Sequence, residues 1–65
     1  MKVLVNNKEV KTGAITLSQL IEELALPMQG IAVAVDNRIV LRTEWPKYAL
    51  REYMSIIIIK AAGGG

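Results

Sequence analysis

Only one segment of this 65-residue chain spaces its apolar residues as a helix does. Within TLSQLIEELAL, one stripe at i, i+3, i+4 and i+7 consists of Leu17, Leu20, Ile21 and Leu24. Thr16 is the predicted N-cap, Gln19 completes a capping box, and we expect Pro27 to end the helix. A single helix covers one face of a sheet only, so we predict a two-layer α+β domain whose other sheet face is open.

The remaining periodic segments alternate as β-strands do. KVLV and KEVKT predict a hairpin around Asn6-Asn7, because asparagine tolerates the positive φ angles of a two-residue turn. IAVAV and RIVL predict a second hairpin around Asp36-Asn37. SIIIIK is apolar on both faces, which favours a central last strand. RTEWPKYALREYM follows neither period, and we expect a loop with one helical turn.

The predicted order is therefore β-β-α-β-β-β. The first and last strands are both apolar enough to be central, and if they are neighbours the two hairpins lie on opposite sides of the sheet. This arrangement is the β-grasp. We expect a mixed sheet of four to five strands packed on one helix over residues 1–60, followed by a flexible glycine-rich tail over residues 61–65.

Composition excludes several classes of site. The chain has no cysteine and no histidine, which excludes disulfides and Cys/His zinc sites and leaves no ordinary nucleophile or base for neutral pH. We expect no bound metal or cofactor and no active site in this protein. The net charge of +2 comes from scattered residues, and we expect no nucleic-acid partner. The apolar runs are too short for a signal peptide or a membrane span, so we expect a cytoplasmic protein that binds no membrane.

The sequence ends in KAAGGG, which places three glycines before the terminal carboxylate. From Lys60 to Gly65, an extended chain reaches roughly 20 Å at 3.3–3.6 Å per residue. A tail without side chains can enter a narrow channel and deliver the Gly65 carboxylate to a partner. That carboxylate needs an activating group such as AMP, so ATP would be used by the partner. From the glycines alone, an inert disordered end is an equal alternative.

Taken together, these segments resemble the ThiS family, the ubiquitin-like sulfur carrier proteins of thiamine biosynthesis. The resemblance rests on MKVLVNNKEV, on the helix TLSQLIEEL, on IAVAVDNRIVLRTEW, on the isoleucine-rich last strand and on Gly64-Gly65. Two departures accompany it. Tyr53-Met54 stand where many members carry Gly-Asp, and Leu41 stands where proline is common.

The resemblance implies a co-substrate rather than an enzyme. An E1-like adenylyltransferase would use ATP to adenylate the Gly65 carboxylate, and a sulfur donor, ultimately a cysteine desulfurase, would displace AMP to leave a thiocarboxylate. Thiazole synthase would then take this sulfur into the thiazole ring of thiamine. Ala62, Gly63 and Gly64 would be the tail residues that the partners bind.

We expect the partners to dock on the open sheet face. The alternation of side chains assigns Ile56 and Ile58 to the core and Leu4, Ile57 and Ile59 to the open face. The alternative is that the segment RTEWPKYALREYM folds over this face.

Other functions stay open from the sequence. The small subunit of molybdopterin synthase uses the same tail chemistry, and a tRNA-thiolation carrier or another protein modifier is a further alternative. A plain interaction module with an inert tail would belong to a different class.

Overall fold

The computed structural model describes residues 1–27 and 29–60, which form one sheet with a single α-helix packed on it. The strands are β1 (Lys2–Val5), β2 (Lys8–Lys11), β3 (Ile31–Val35), β4 (Arg38–Val40) and β5 (Ser55–Lys60). The helix α1 spans Leu17–Glu23, and a 3₁₀ helix spans Arg42–Lys47. The predicted tail over residues 61–65 lies outside the described residues.

The sheet is mixed and has the order β2-β1-β5-β3-β4. β1 and β5 are parallel neighbours, and the other pairings are antiparallel. The apolar strands β1 and β5 are therefore both interior, and the two hairpins form the two opposite edges of the sheet. This topology confirms the predicted β-grasp fold.

Both hairpin turns have the backbone conformation that their sequences predict. Asn6 and Asn7 have φ angles of 52° and 68°, and Asp36 and Asn37 have 51° and 68°. Two consecutive positive φ angles match the right-handed twist of the flanking strands, and Asn and Asp adopt them at low cost.

The start of α1 agrees closely with the sequence prediction. The Oγ1 atom of Thr16 accepts a hydrogen bond from the Gln19 backbone N–H at 3.3 Å. The Gln19 side chain reaches back, but its Oε1 accepts from Ile15 N–H at 2.8 Å, one residue earlier than in the usual capping box. The first turn of the helix is thus fixed by two reciprocal side-chain bonds.

The prediction that Pro27 ends the helix is wrong. The helix ends at Glu23, and Ala25 then takes a left-handed φ of 56°. The Leu26 N–H donates back to the carbonyl of Ile21 at 3.1 Å, which is the long bond of a Schellman cap. The chain has already left the helical path before the proline.

The core lies between α1 and one face of the sheet. The most deeply buried large side chains are Val3, Leu17, Leu20, Ile21, Val33, Val35, Trp45 and Ile56. The 3₁₀ helix packs beside α1 and contributes Trp45, which is 1% exposed. The segment RTEWPKYALREYM therefore lies on the helix side of the sheet, and the alternative that it covers the open face is wrong.

Candidate functional site

The open face of the sheet is built from residues that alternate with the core residues along each strand. On β5, Ile56 and Ile58 are buried, Ile57 is half-buried and Ile59 is 56% exposed. The predicted parity of this strand is confirmed. Leu4 is half-buried on β1, where it alternates with the buried Val3.

Strand register extends this face beyond the residues that the sequence analysis named. Ile39 on β4 stands opposite Ala34 on β3, and Ala34 stands opposite Ile57 on β5. Ile39 is 66% exposed. We call this surface the apolar face; it consists of Leu4, Ala32, Ala34, Ile39, Ile57 and Ile59.

The sequence analysis missed Ile39 because β4 is only three residues long. A usable signal was present, since Val40 is apolar and the next side chain along a strand points to the opposite face. Strand pairing was needed to show that Ile39 lies in line with Ile57.

The β1–β2 side of the same sheet face carries charges. Glu9 stands opposite Leu4, and Lys11 stands opposite Lys2. The Lys2 Nζ and Glu9 Oε1 atoms are 3.8 Å apart in a solvated pair, which contributes little to stability. A partner that covers this sheet would meet apolar surface over β5, β3 and β4, and mixed charge over β1 and β2.

The last strand, β5, contributes to the apolar face and precedes the three glycines in the sequence. β5 continues to Lys60, which pairs with Ile31 at the start of β3. Ile57 and Ile59 lie on this same strand. The predicted site residues Ala62, Gly63, Gly64 and Gly65 lie outside the described residues.

The backbone at Tyr53 shows why this turn suits glycine. Tyr53 takes a left-handed φ of 59°, a conformation that glycine adopts most easily. Its N–H donates to the carbonyl of Lys2 at 2.6 Å, and the next residue's carbonyl accepts from Leu4 N–H at 2.9 Å. The turn that starts β5 beside β1 is therefore formed with tyrosine in the glycine conformation.

Residues 1–27 and 29–60 bring together no cluster of three His, Cys, Asp or Glu side chains that could hold a metal ion. Within the same residues, no helix has the length and apolar character needed to cross a membrane. A shallow depression on the 3₁₀ helix is lined by Thr43, Glu44, Lys47 and Tyr48.

A mixed five-stranded sheet on one helix, with β1 and β5 as parallel neighbours inside it, defines a β-grasp domain of the ubiquitin-like class. The sequence profile of the ThiS family matches residues 2–65, and the chain belongs to this family.

Individual relatives agree with this assignment. The chain is similar to the sulfur carrier protein ThiS of Escherichia coli (strain K12), with 27% identity over 66 residues and full coverage of both chains. The crystal structure of the thiamine biosynthesis protein ThiS from Geobacter metallireducens matches with a TM-score of 0.84 at 19% identity, again over both whole chains. An NMR structure of a thiamine biosynthesis protein from that organism matches with a TM-score of 0.80 at 16% identity, covering all of this chain and 88% of the other. The two structures support the fold.

Proposed function

We propose that this protein is a sulfur carrier of thiamine biosynthesis and that the α-carboxylate of Gly65 carries the sulfur as a thiocarboxylate. The observation that supports this most is the family match, which extends over residues 2–65 and so includes the three terminal glycines. The protein is then a co-substrate, because its partners supply the catalytic groups.

The proposed reaction has two steps. On an E1-like adenylyltransferase, a carboxylate oxygen of Gly65 attacks the α-phosphorus of ATP, and pyrophosphate leaves as the acyl adenylate forms. A thiol reduces the persulfide of a cysteine desulfurase, forms a disulfide with it and so releases hydrosulfide, which then attacks the acyl carbon. The bond from this carbon to the AMP oxygen breaks, AMP leaves with the electron pair, and the sulfur loses its proton to solvent.

The glycines suit this delivery for a steric reason. Gly63 and Gly64 have no Cβ atom, so a channel just wide enough for the backbone admits them. In such a channel, their N–H and C=O groups would hydrogen-bond to the walls. An alanine at Gly64 would need additional width at the point where the carboxylate must be placed.

The apolar face is the proposed docking surface for the adenylyltransferase and then for thiazole synthase. Burial of its exposed isoleucines, Ile39 and Ile59, would stabilise the complex by about 25 cal/mol per Å² of apolar area removed from water. Docking would also fix the start of the tail, because Ile59 is followed directly by Lys60. From Ile59, an extended chain places Gly65 within about 20 Å at 3.3–3.6 Å per residue.

ATP–pyrophosphate exchange with the purified adenylyltransferase tests this proposal. We expect exchange that depends on the full chain, no exchange when Gly65 is deleted, and a greatly reduced rate for Gly64→Ala. Ala61→Gly is the matched control and should retain the full rate. Exchange that is independent of the carrier, or is undiminished by the Gly65 deletion, would contradict the proposal.

A further inference from the structure

The side chain of Asn6 makes hydrogen bonds to β5, outside the turn in which this residue lies. β1 pairs with β5 only as far as Val5 opposite Ile56, and the Asn6 N–H then donates to the carbonyl of Ile56 at 2.8 Å. After this bond the chain turns away into β2. β5 nevertheless continues to Lys60, so its edge on this side loses its neighbouring strand.

The Asn6 carboxamide takes the place of the missing strand. Its Oδ1 accepts from the Ile58 N–H at 2.8 Å, and its Nδ2 donates to the Ile58 carbonyl at 3.3 Å. Both bonds are partly buried. A side-chain amide with one acceptor and one donor so engaged acts as an additional peptide group in the ladder.

The Asn6–Ile58 bonds lie close to the end of β5, the strand that precedes the tail in the sequence. Backbone groups of a strand alternate in direction, so Ile56, Ile58 and Lys60 present theirs to the β1 side. The Asn6–Ile58 bonds are therefore the final hydrogen bonds on that side within the described residues, two positions before Lys60. On the other side, the register with β3 extends to Ile31 opposite Lys60, and Ile59, opposite Ala32, directs its backbone groups to β3. Both edges of β5 are therefore held to within two residues of its end.

We propose that Asn6 is a positioning residue for the adenylation of Gly65, an inference that rests on the proposed function above. Its carboxamide holds the end of β5 so that the tail starts from one direction when the apolar face is docked. Misplacing reacting groups by about 1 Å can lower a rate by about a hundredfold. Loss of the Asn6–Ile58 bonds therefore affects the turnover of the docked carrier and leaves docking itself unchanged.

Asn6→Gly is the variant that separates the two tasks of this residue. Glycine accepts the φ of 52° but has no carboxamide, so the turn is kept and the bonds to Ile58 are lost. Asn7→Gly is the matched control, because Asn7 has a φ of 68° in the same turn and makes no such bonds to Ile58. Asn6→Asp keeps an acceptor for the Ile58 N–H and loses the donor.

The experiment is steady-state ATP–pyrophosphate exchange, with carrier concentration varied, at a temperature where the variants are folded. For Asn6→Gly we expect kcat to fall by about tenfold or more, with KM for the carrier changed by less than about threefold. The kcat of Asn6→Asp should lie between that of Asn6→Gly and that of the unmodified chain, and the kcat of Asn7→Gly should equal that of the unmodified chain. The Ile58 amide should exchange with deuterium about tenfold faster or more in Asn6→Gly alone.

A purely structural role would lower the melting temperature without changing kcat in the folded protein. Equal kcat for Asn6→Gly and Asn7→Gly, or a change confined to KM, overturns the inference and leaves the proposed function standing. If Asn6→Gly does not fold, Asn6→Asp decides, and a kcat equal to that of the unmodified chain overturns the inference. An unmodified chain that supports no exchange overturns both.

Discussion

The indole Nε1 of Trp45 donates a hydrogen bond to the main-chain carbonyl of Val40, 3.0 Å away inside the core. This bond ties the 3₁₀ helix to the end of β4 and holds the following segment against α1. The apolar face is left uncovered as a result.

Replacing Trp45 with phenylalanine tests the contribution of this bond. The variant keeps an aromatic ring but leaves the buried carbonyl of Val40 without its donor, and the smaller ring leaves a void. We expect the free energy of unfolding to fall by about 1–3 kcal/mol, measured by urea denaturation. Tyr48→Phe, in the same segment and half-buried, should change it by less than about 0.5 kcal/mol. Equal effects of the two variants would contradict this account.

Leu20→Ala tests whether the helix stripe is core or a binding groove. Leu20 is completely buried, so its truncation should lower the free energy of unfolding by about 2–5 kcal/mol. Thermal melting checks this, with Leu41→Ala as the control, because Leu41 is 60% exposed. An unchanged melting temperature for Leu20→Ala together with lost partner binding would reverse the assignment.

Ala25→Gly should stabilise the protein. Ala25 holds the left-handed position of the cap after α1, where a Cβ costs about 1–2 kcal/mol, and glycine removes that strain. We expect the free energy of unfolding, measured by urea denaturation, to rise by about 0.5–1 kcal/mol after the higher unfolded-state entropy of glycine is included. Glu22 lies within the helix and is exposed, so Glu22→Gly should instead lower the free energy of unfolding by about 1 kcal/mol. A loss at both positions would show that the cap conformation is wrong.

Aspartate substitutions along β5 and β4 test the apolar face. We expect Ile57→Asp and Ile39→Asp to leave the domain folded. Both should raise the KM of the adenylyltransferase for the carrier by about tenfold or more, because a desolvated charge opposes docking. Ile58→Asp buries the charge in the core and should unfold the domain. The assignment of faces would be wrong if Ile57→Asp unfolded the protein as severely as Ile58→Asp.

Local signals account for most of the fold that the sequence predicts. The hairpin turns follow from Asn6-Asn7 and Asp36-Asn37, because few other residues accept two positive φ angles in succession. The start of α1 follows from Thr16, because a threonine hydroxyl at an N-cap accepts a hydrogen bond from a backbone N–H of the first turn. The parity of β5 was predicted by counting alternate side chains along the last strand.

The features that the sequence did not predict depend on pairing or on an uncommon conformation. Ile39 joins the apolar face only through register with Ala34, which no short-range pattern encodes. The end of α1 was misplaced because alanine rarely takes the φ that Ala25 has. The bonds from Asn6 to Ile58 span 52 positions of sequence and appear only once β1 and β5 are aligned.

The central claim is that Gly65 carries sulfur on its carboxylate, and the most direct measurement is the intact mass of the protein isolated from thiamine-starved cells. We predict a species heavier than the unmodified chain by the mass difference between one sulfur and one oxygen atom. This species should be absent when Gly65 is deleted, and the melting temperature should be unchanged. A single unmodified mass under these conditions, or a Gly65 deletion that still supports thiazole formation, would contradict the claim.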